Sequence, residues 1–145
     1  MGGKVAKPVP IRNSVPIGKT RICVMGFSLS HHTNRAGNIT RKIILKYPNK
    51  YESWFYFDTK GYRKALYGII SELNDIQKQE FENQKSSPFV FLQYPDGHIE
   101  GIGGRDKFCD WTNAEFKDKD EEICQLAGEP SVSEVWVDET PGSVQ

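Results

Sequence analysis

A chain of 145 residues, of which 37% are hydrophobic, has enough apolar material for one domain with its own core. Basic and acidic residues both number 19, so the formal net charge is zero and the basic surplus of a nucleic-acid-binding protein is absent. Three scattered cysteines, Cys23, Cys109 and Cys124, form no disulfide framework, which predicts a cytoplasmic location. No stretch of the sequence is long and apolar enough to predict a membrane span, and no secretory signal is visible.

The charges divide the chain into three parts. Residues 1–21 carry only basic charges, whereas the sequence from Asp118 onward is mostly acidic. Together with three prolines in the first 19 residues, this predicts a flexible basic N-terminal arm (1–19), a folded domain (20–117) and an acidic C-terminal tail (118–145). The apolar triplet 135–137, centred on Trp136, is expected either to fold back onto the domain or to bind a partner. The start at Gly2 resembles an N-myristoylation signal but is incomplete, so a lipid anchor is not expected.

The first half of the domain predicts a strand, a helix and a strand. Residues 22–27 are a continuous apolar run, which is typical of a strand buried on both faces. Apolar residues then recur with helical spacing from Asn34 to Tyr47, and Pro48 ends the pattern. Residues 51–57 are rich in aromatic side chains and predict a second strand.

The second half predicts a helix, a hairpin and a last helix. Asp58 or Thr59 can cap a helix whose apolar stripe continues to Ile76. Residues 89–94 and 98–102 predict two antiparallel strands, since residues 94–97 (Tyr-Pro-Asp-Gly) fit a type I turn. Phe108, Trp111 and Phe116 then indicate a shorter amphipathic helix.

The predicted order is therefore β-α-β-α-β-β-α, which belongs to the α/β class. Two strands joined through a helix run parallel, and the hairpin adds an antiparallel pair. We therefore expect a four-stranded mixed sheet with helices on both faces. The loop after the first strand and the loop before Pro88 should meet at one edge, where open α/β sheets bind their ligands.

This order and two short motifs resemble the glutaredoxin branch of the thioredoxin-like fold, over residues 20–117. Ser87-Pro88 stands where glutaredoxins have a valine followed by a cis proline, and residues 103–106 (Gly-Gly-Arg-Asp) stand where they have Gly-Gly-x-Asp. The resemblance implies a thioredoxin-like three-layer sandwich. It also implies that the backbone before the proline binds the peptide of a thiol ligand, and that Asp106 meets the ammonium group of glutathione.

The chain departs from glutaredoxins at their redox motif. Ser30-His31-His32-Thr33 occupies the place of Cys-x-x-Cys. Thiol–disulfide exchange needs a thiolate, and a serine or threonine hydroxyl does not ionise near neutral pH, so this activity is not expected. The simplest role of Ser30 or Thr33 is to cap the helix. In the alternative, Ser30 donates a hydrogen bond to the sulfur of glutathione, as in some glutathione transferases.

No metal site is expected. Imidazole is the commonest metal ligand, but adjacent residues such as His31 and His32 point apart at a helix start. No carboxylate or cysteine stands beside them at ligand spacing, and His98 is distant in sequence. We expect both histidines to face solvent.

The prediction is a monomeric, redox-inactive, glutaredoxin-like binding or adaptor protein, similar to the SH3-binding glutamate-rich protein group. Its partner would be a protein, a peptide or glutathione itself, with no other cofactor, and not a nucleic acid. The expected ligand-binding residues are Ser30, His31, His32, Thr33, Ser87, Pro88, Gly103, Gly104, Arg105 and Asp106. The alternatives are a glutathione-dependent, transferase-like enzyme that uses Ser30, and a redox sensor that uses Cys109.

Overall fold

A computed structural model describes residues 5–128 as an α/β structure with four strands and five helices. In chain order these elements are β1 (Thr20–Gly26), α1 (His31–Lys46), β2 (Tyr51–Phe57), α2 (Tyr62–Ser71), α3 (Asp75–Phe81), β3 (Phe89–Gln93), β4 (Ile99–Gly103), α4 (Arg105–Phe116) and α5 (Glu121–Gly128). Across residues 5–128, no helix has both the length and the apolar character that crossing a membrane requires. The predictions for Gly2 and Trp136 concern residues outside this range.

The four strands form one mixed sheet in the order β2-β1-β3-β4. Strand β1 runs parallel to β2, and β3 runs antiparallel to both β1 and β4. Val24 of β1 lies between Phe55 and Val90, so the apolar run of β1 is at the centre of the sheet. The predicted four-stranded mixed sheet is confirmed. The turn at 94–97 closes with a hydrogen bond of 2.8 Å from Gly97 N–H to the carbonyl of Tyr94.

The sheet separates two hydrophobic cores, because successive strand residues point to opposite faces. On one face Val24 and Phe55 pack with helices α1, α4 and α5, and on the other Met25 and Tyr56 pack with α2 and α3. Cys23 lies within β1 on the second face and is fully buried, as predicted.

The predicted helix from residue 58 to Ile76 is in fact two helices. Helix α2 ends at Ser71, and the side chain of Asn74 caps α3 by accepting the Gln77 N–H at 2.9 Å. Asparagine competes for backbone hydrogen bonds in this way and so favours a new helix start over the interior of an existing one. Ile76, expected on the buried stripe, is 78% exposed as a result.

Helix α5 lies within the segment predicted as an acidic tail, which corrects that boundary. Ile123 and Ala127 are one helical turn apart and both are buried in the core formed with α1 and α4. Two apolar residues at this spacing make an inward stripe even between acidic neighbours. The acidic charge of the segment therefore led to the prediction of a tail, whereas its first part is a helix that packs into the domain.

Asp120 fixes the start of α5 against the end of α1. Its Oδ1 accepts the Ile123 N–H at 3.0 Å, its Oδ2 accepts the Tyr47 hydroxyl at 2.7 Å, and Lys46 Nζ lies 3.0 Å away. Burial acts to raise the pKa of this carboxyl, but the hydrogen bonds from Tyr47, Ile123 and Lys46 outweigh it and hold the pKa at about 2. The ionised form is therefore preferred in the folded protein.

We expect this carboxylate to make the folded protein sensitive to acid. Its pKa of about 2 lies below the ordinary value of 3.8, so its contribution is complete above pH 4 and is lost as the pH falls toward 2. We expect Asp120→Asn to lower the unfolding free energy by about 1–2 kcal/mol at neutral pH and to flatten its acid dependence. Urea unfolding at several pH values measures this, with Asp118→Asn as the control at an exposed position. An equal acid dependence in Asp120→Asn and in the unmutated protein would contradict the assignment.

The N-terminal segment, which its composition predicts as a flexible arm, is extended and makes contacts with the domain. The Tyr56 hydroxyl donates to the Lys7 carbonyl at 2.7 Å, and Trp54 Nε1 donates to the Pro10 carbonyl at 3.3 Å. The guanidinium of Arg12 lies 5.9 Å from the centre of the Trp54 ring and forms an ion pair of 2.7 Å with Glu72. The prolines and basic residues of the segment do not by themselves predict these contacts, because the residues that they contact lie in β2 and at the end of α2.

Candidate functional site

Three separate segments meet at one edge of the sheet. They are the loop from β1 into α1, the Ser87-Pro88 pair before β3, and the junction of β4 with α4. Thr33 Oγ1 lies 3.0 Å from Ser87 Oγ, which joins the first two segments. A Cβ built on Gly104 would lie 3.6 Å from the carbonyl oxygen of Pro88, which places the third segment beside the second. The structure therefore brings together the three motifs that the sequence singled out.

Ser30 is the N-cap of α1, as the simplest interpretation of its sequence position predicted. Its backbone is extended, and its Oγ accepts hydrogen bonds from His32 N–H at 3.2 Å and Thr33 N–H at 3.3 Å. The first turn of α1 contains no acidic residue, so the partial positive charge of the helix start is not offset there. Both hydrogen bonds use the oxygen as an acceptor, which leaves the hydroxyl proton able to donate to a ligand.

A small cluster around Gly26 fixes the position of Ser87. Ser87 Oγ accepts the Phe27 N–H at 2.8 Å in addition to its contact with Thr33. A Cβ on Gly26 would collide with Thr33 Oγ1 and would lie 2.7 Å from Ser87 Oγ, so only glycine leaves room for this contact. Thr33 is 1% exposed and holds Ser87 from inside the protein instead of facing a ligand. Sequence reasoning missed Gly26, although a glycine at the end of a buried strand is itself a signal of close approach.

The backbone around Ser87 presents an edge to solvent. The Ser87–Pro88 peptide bond is cis, and Pro88 is buried. The Ser86 carbonyl accepts from the Tyr62 hydroxyl at 2.6 Å, which ties this loop to α2. Within residues 5–128, no hydrogen bond engages the backbone N–H or carbonyl of half-buried Ser87. One donor and one acceptor are thus available for pairing with an extended ligand.

The junction of β4 and α4 brings an ion pair to the same edge. Gly103 has a φ of +126°, a conformation that favours glycine, and Gly104 is the N-cap of α4. Arg105 Nη2 lies 2.7 Å from Asp106 Oδ1, and the Asp106 side chain is 85% exposed. Asp106 therefore faces solvent in the first turn of α4 and offers a carboxylate to a ligand.

His31 and His32, the first two residues of α1, are exposed as predicted. Partial burial, and then the positive charge of Arg105, lower the pKa of His32 below its ordinary value of 6.5, although Asp106 opposes this. His32 is therefore mainly neutral at physiological pH and can donate or accept one hydrogen bond through each ring nitrogen.

His98 is not part of this site. It lies at the turn between β3 and β4, where Nδ1 is 2.6 Å from Asp96 Oδ1 and the ring stacks on Tyr94. Among residues 5–128, no three histidine, cysteine or acidic side chains come together as a possible metal site.

None of the three cysteines lies on the α1 loop. Cys23 is fully buried, and burial raises the pKa of its thiol far above the ordinary value. Burial also raises the pKa of half-buried Cys109, which disfavours the reactive thiolate. Half-buried Cys124 has its sulfur 3.9 Å from the Asn113 carbonyl. These environments give no support to redox sensing at Cys109.

A groove between α2 and α3 begins close to the site and was not predicted from the sequence. It has a volume of about 620 Å³, with Leu66, Tyr67 and Ile70 among its apolar lining. Gln84 and Lys85 also line it, and the Gln84 side chain donates to the Ser86 carbonyl at 3.1 Å. The lining of the groove therefore includes Lys85, which is two residues before Ser87 in the sequence.

The chain matches no protein-family model, and no curated protein matches it. The chemistry of the site must therefore be judged from its geometry. That geometry consists of an open backbone edge at Ser87, a helix start without acidic residues, and an exposed carboxylate at Asp106.

Proposed function

We propose that the chain is a thioredoxin-like protein of glutaredoxin type that binds an extended peptide or a glutathione-like ligand and carries out no redox chemistry. The observation that carries the proposal is the backbone of Ser87, whose N–H and carbonyl have no hydrogen-bond partner among residues 5–128. Ser87 contacts Thr33 in the first turn of α1, and the exposed carboxylate of Asp106 is in the first turn of α4, whose N-cap Gly104 lies beside Pro88. An extended ligand would pair with Ser87 as one strand pairs with another.

The fold supports this proposal. A four-stranded mixed sheet with helices on both faces is the arrangement that the glutaredoxin resemblance implies, and the chain has such a sheet. The cis Ser87–Pro88 bond and the Gly103–Gly104 junction stand at the positions that the same resemblance implies.

The charges around Ser87 suit a ligand that has an ammonium group and a carboxylate. The ammonium would meet Asp106, and the carboxylate would lie at the start of α1, where the helix dipole favours negative charge. Each hydrogen bond adds a net 0.5–1.5 kcal/mol, roughly, and association consumes part of the total. We therefore expect dissociation constants in the micromolar to millimolar range.

Calorimetric titration with S-methylglutathione tests the proposal, because this ligand has no free thiol and reports binding alone. We expect Asp106→Asn to weaken binding about tenfold, since one charge-assisted hydrogen bond is lost. Asp110→Asn is the matched control, because Asp110 is an exposed carboxylate on the same helix, α4. Equal affinities in Asp106→Asn and in the unmutated protein would remove Asp106 from the proposed site.

The alternative function is glutathione-dependent catalysis, which the hydroxyl proton of Ser30 favours because no acceptor among residues 5–128 binds it. In that case Ser30→Ala abolishes turnover of an electrophile with glutathione. In the binding-protein case Ser30→Ala keeps its ligand affinity and loses only the cap, with a cost to stability of about 1 kcal/mol. A turnover assay beside a calorimetric titration of the same variant separates the two functions.

A further inference from the structure

We infer that the groove between α2 and α3 is a binding site for a small anion with an elongated apolar chain, such as a fatty-acid-like carboxylate. The inference does not depend on the proposed function, because the lining of the groove includes none of the residues assigned to the Ser87 edge. Three observations carry it: the shape of the groove, its apolar wall, and the distribution of charge along its length.

The groove runs between two antiparallel helices. Ser71 at the end of α2 and Asp75 at the start of α3 both line it and mark one end. At the other end the Tyr62 hydroxyl donates to the Ser86 carbonyl at 2.6 Å, which holds the start of α2 beside the segment that follows α3. The 10 residues of α2 span about 15 Å. A groove of this length with a volume of about 620 Å³ is within the size range of small-molecule sites and suits an elongated ligand.

The wall of the groove on the side of α2 is apolar. Leu66, Tyr67 and Ile70 line it, and Leu66 and Ile70 are one helical turn apart. Leu66 is buried and Ile70 is half-buried, whereas Tyr67 is 77% exposed. An apolar chain that lies along this wall would remove the exposed tyrosine ring and part of Ile70 from water, which favours its binding.

The charges of the groove differ between its two ends. Along α3 the lining residues Asp75, Lys78 and Glu82 follow one another at intervals of about one turn, so Lys78 stands between two carboxylates. Where α3 ends, Arg63 and Lys85 add two positive charges against the single negative charge of Glu82. Neither Arg63 nor Lys85 forms an ion pair within residues 5–128. The acidic group of a ligand is therefore favoured at this end and disfavoured at Asp75.

Amide NMR of the full chain with three probes tests the site. We expect decanoate to shift the signals of Leu66, Tyr67 and Ile70 with a dissociation constant in the high micromolar to millimolar range. Acetate has the same head group without the chain and should not bind. Decyltrimethylammonium has the same chain length with the opposite charge and should bind about fivefold more weakly. No saturable shift at millimolar decanoate, or equal affinity for the two decyl compounds, would overturn the inference.

Two pairs of variants locate the bound probe. We expect Tyr67→Ser to weaken decanoate binding about three- to tenfold, whereas Ile76→Ser, at a position that is 78% exposed but outside the lining, should leave it unchanged. Arg63→Gln should weaken binding about two- to fivefold, and Lys64→Gln, at the next position of α2 and outside the lining, should not. Equal effects of variant and control in either pair would overturn the inference.

A crossed titration separates this site from the Ser87 edge. We expect Asp106→Asn to leave decanoate affinity unchanged and Tyr67→Ser to leave S-methylglutathione affinity unchanged. Loss of decanoate binding in Asp106→Asn would place the probe at the Ser87 edge and overturn the inference. Decanoate binding in the groove by a protein that does not bind S-methylglutathione would support the inference and overturn the proposed function alone.

Discussion

Replacing Gly26 with alanine is expected to lower the unfolding free energy by about 2–3 kcal/mol and to weaken ligand binding. The added methyl group would collide with Thr33 Oγ1 and approach Ser87 Oγ to 2.7 Å. Both are short side chains held by neighbouring backbone, and Thr33 is 1% exposed, so neither moves away without disturbing α1 or the loop before Pro88. Overpacking at such a position costs roughly 1–3 kcal/mol. Because Ser87 is displaced, binding at its backbone should weaken as well.

Urea unfolding and ligand titration of the same variant measure the two effects of Gly26→Ala. Gly68→Ala is the control, since Gly68 is an exposed position of α2 with open space around it. That change should stabilise the protein by about 0.4–1 kcal/mol. The double variant Gly26→Ala/Thr33→Ala should recover part of the lost stability, because it removes one colliding atom. Unchanged stability and binding in Gly26→Ala would contradict the role of this cluster.

Replacing Ser30 with cysteine is expected to create a reactive thiol. Its sulfur would take the place of an oxygen that accepts hydrogen bonds from His32 N–H and Thr33 N–H at the start of α1. These donors and the helix dipole favour the thiolate, so the pKa of the new thiol should fall below the usual value of about 8.5. At neutral pH we expect iodoacetamide to react with it at least about tenfold faster than with Cys109, whose pKa is raised by burial.

The pH dependence of alkylation gives the pKa of the new thiol directly. The unmutated protein is the control, because its cysteines lie elsewhere, with Cys23 buried and Cys109 and Cys124 half-buried. With reduced glutathione as the reductant, a variant with a working glutathione site should also reduce a glutathione mixed disulfide, which the unmutated protein should not. A thiol at Ser30→Cys with an ordinary or raised pKa would show that the start of α1 does not stabilise negative charge.

The sheet could be predicted because each strand carries its own signal. The apolar run of β1 and the aromatic run of β2 each fill a strand that is buried on both faces, and the turn at 94–97 joins β3 to β4. The apolar pattern does not specify the helix boundaries, because a single capping side chain can move them. Ser30 caps α1, which begins at His31, three residues before the predicted start at Asn34. Asn74 caps α3 and so divides the predicted second helix into two.

The features that the sequence did not reveal depend on contacts between distant residues. Ile123 and Ala127 indicate a helix only when α1 and α4 are there to cover them. The N-terminal segment is held by Tyr56 and Trp54, which are more than 40 positions away in sequence. The motifs around Ser87 could be predicted because each is a continuous stretch of sequence. The fit of Gly26 against Thr33 joins two different elements, β1 and α1, and is visible only in the structure.

The most direct test of the central claim is an amide NMR titration of the full chain with glutathione. The proposed site predicts that the largest shifts occur at Ser87, His32 and Asp106, saturate at millimolar ligand, and are reproduced by S-methylglutathione. Binding without a thiol would separate ligand recognition from redox chemistry. No shift at millimolar glutathione, or shifts centred on Tyr67 in the α2–α3 groove, would contradict the assignment of the Ser87 edge as the binding site.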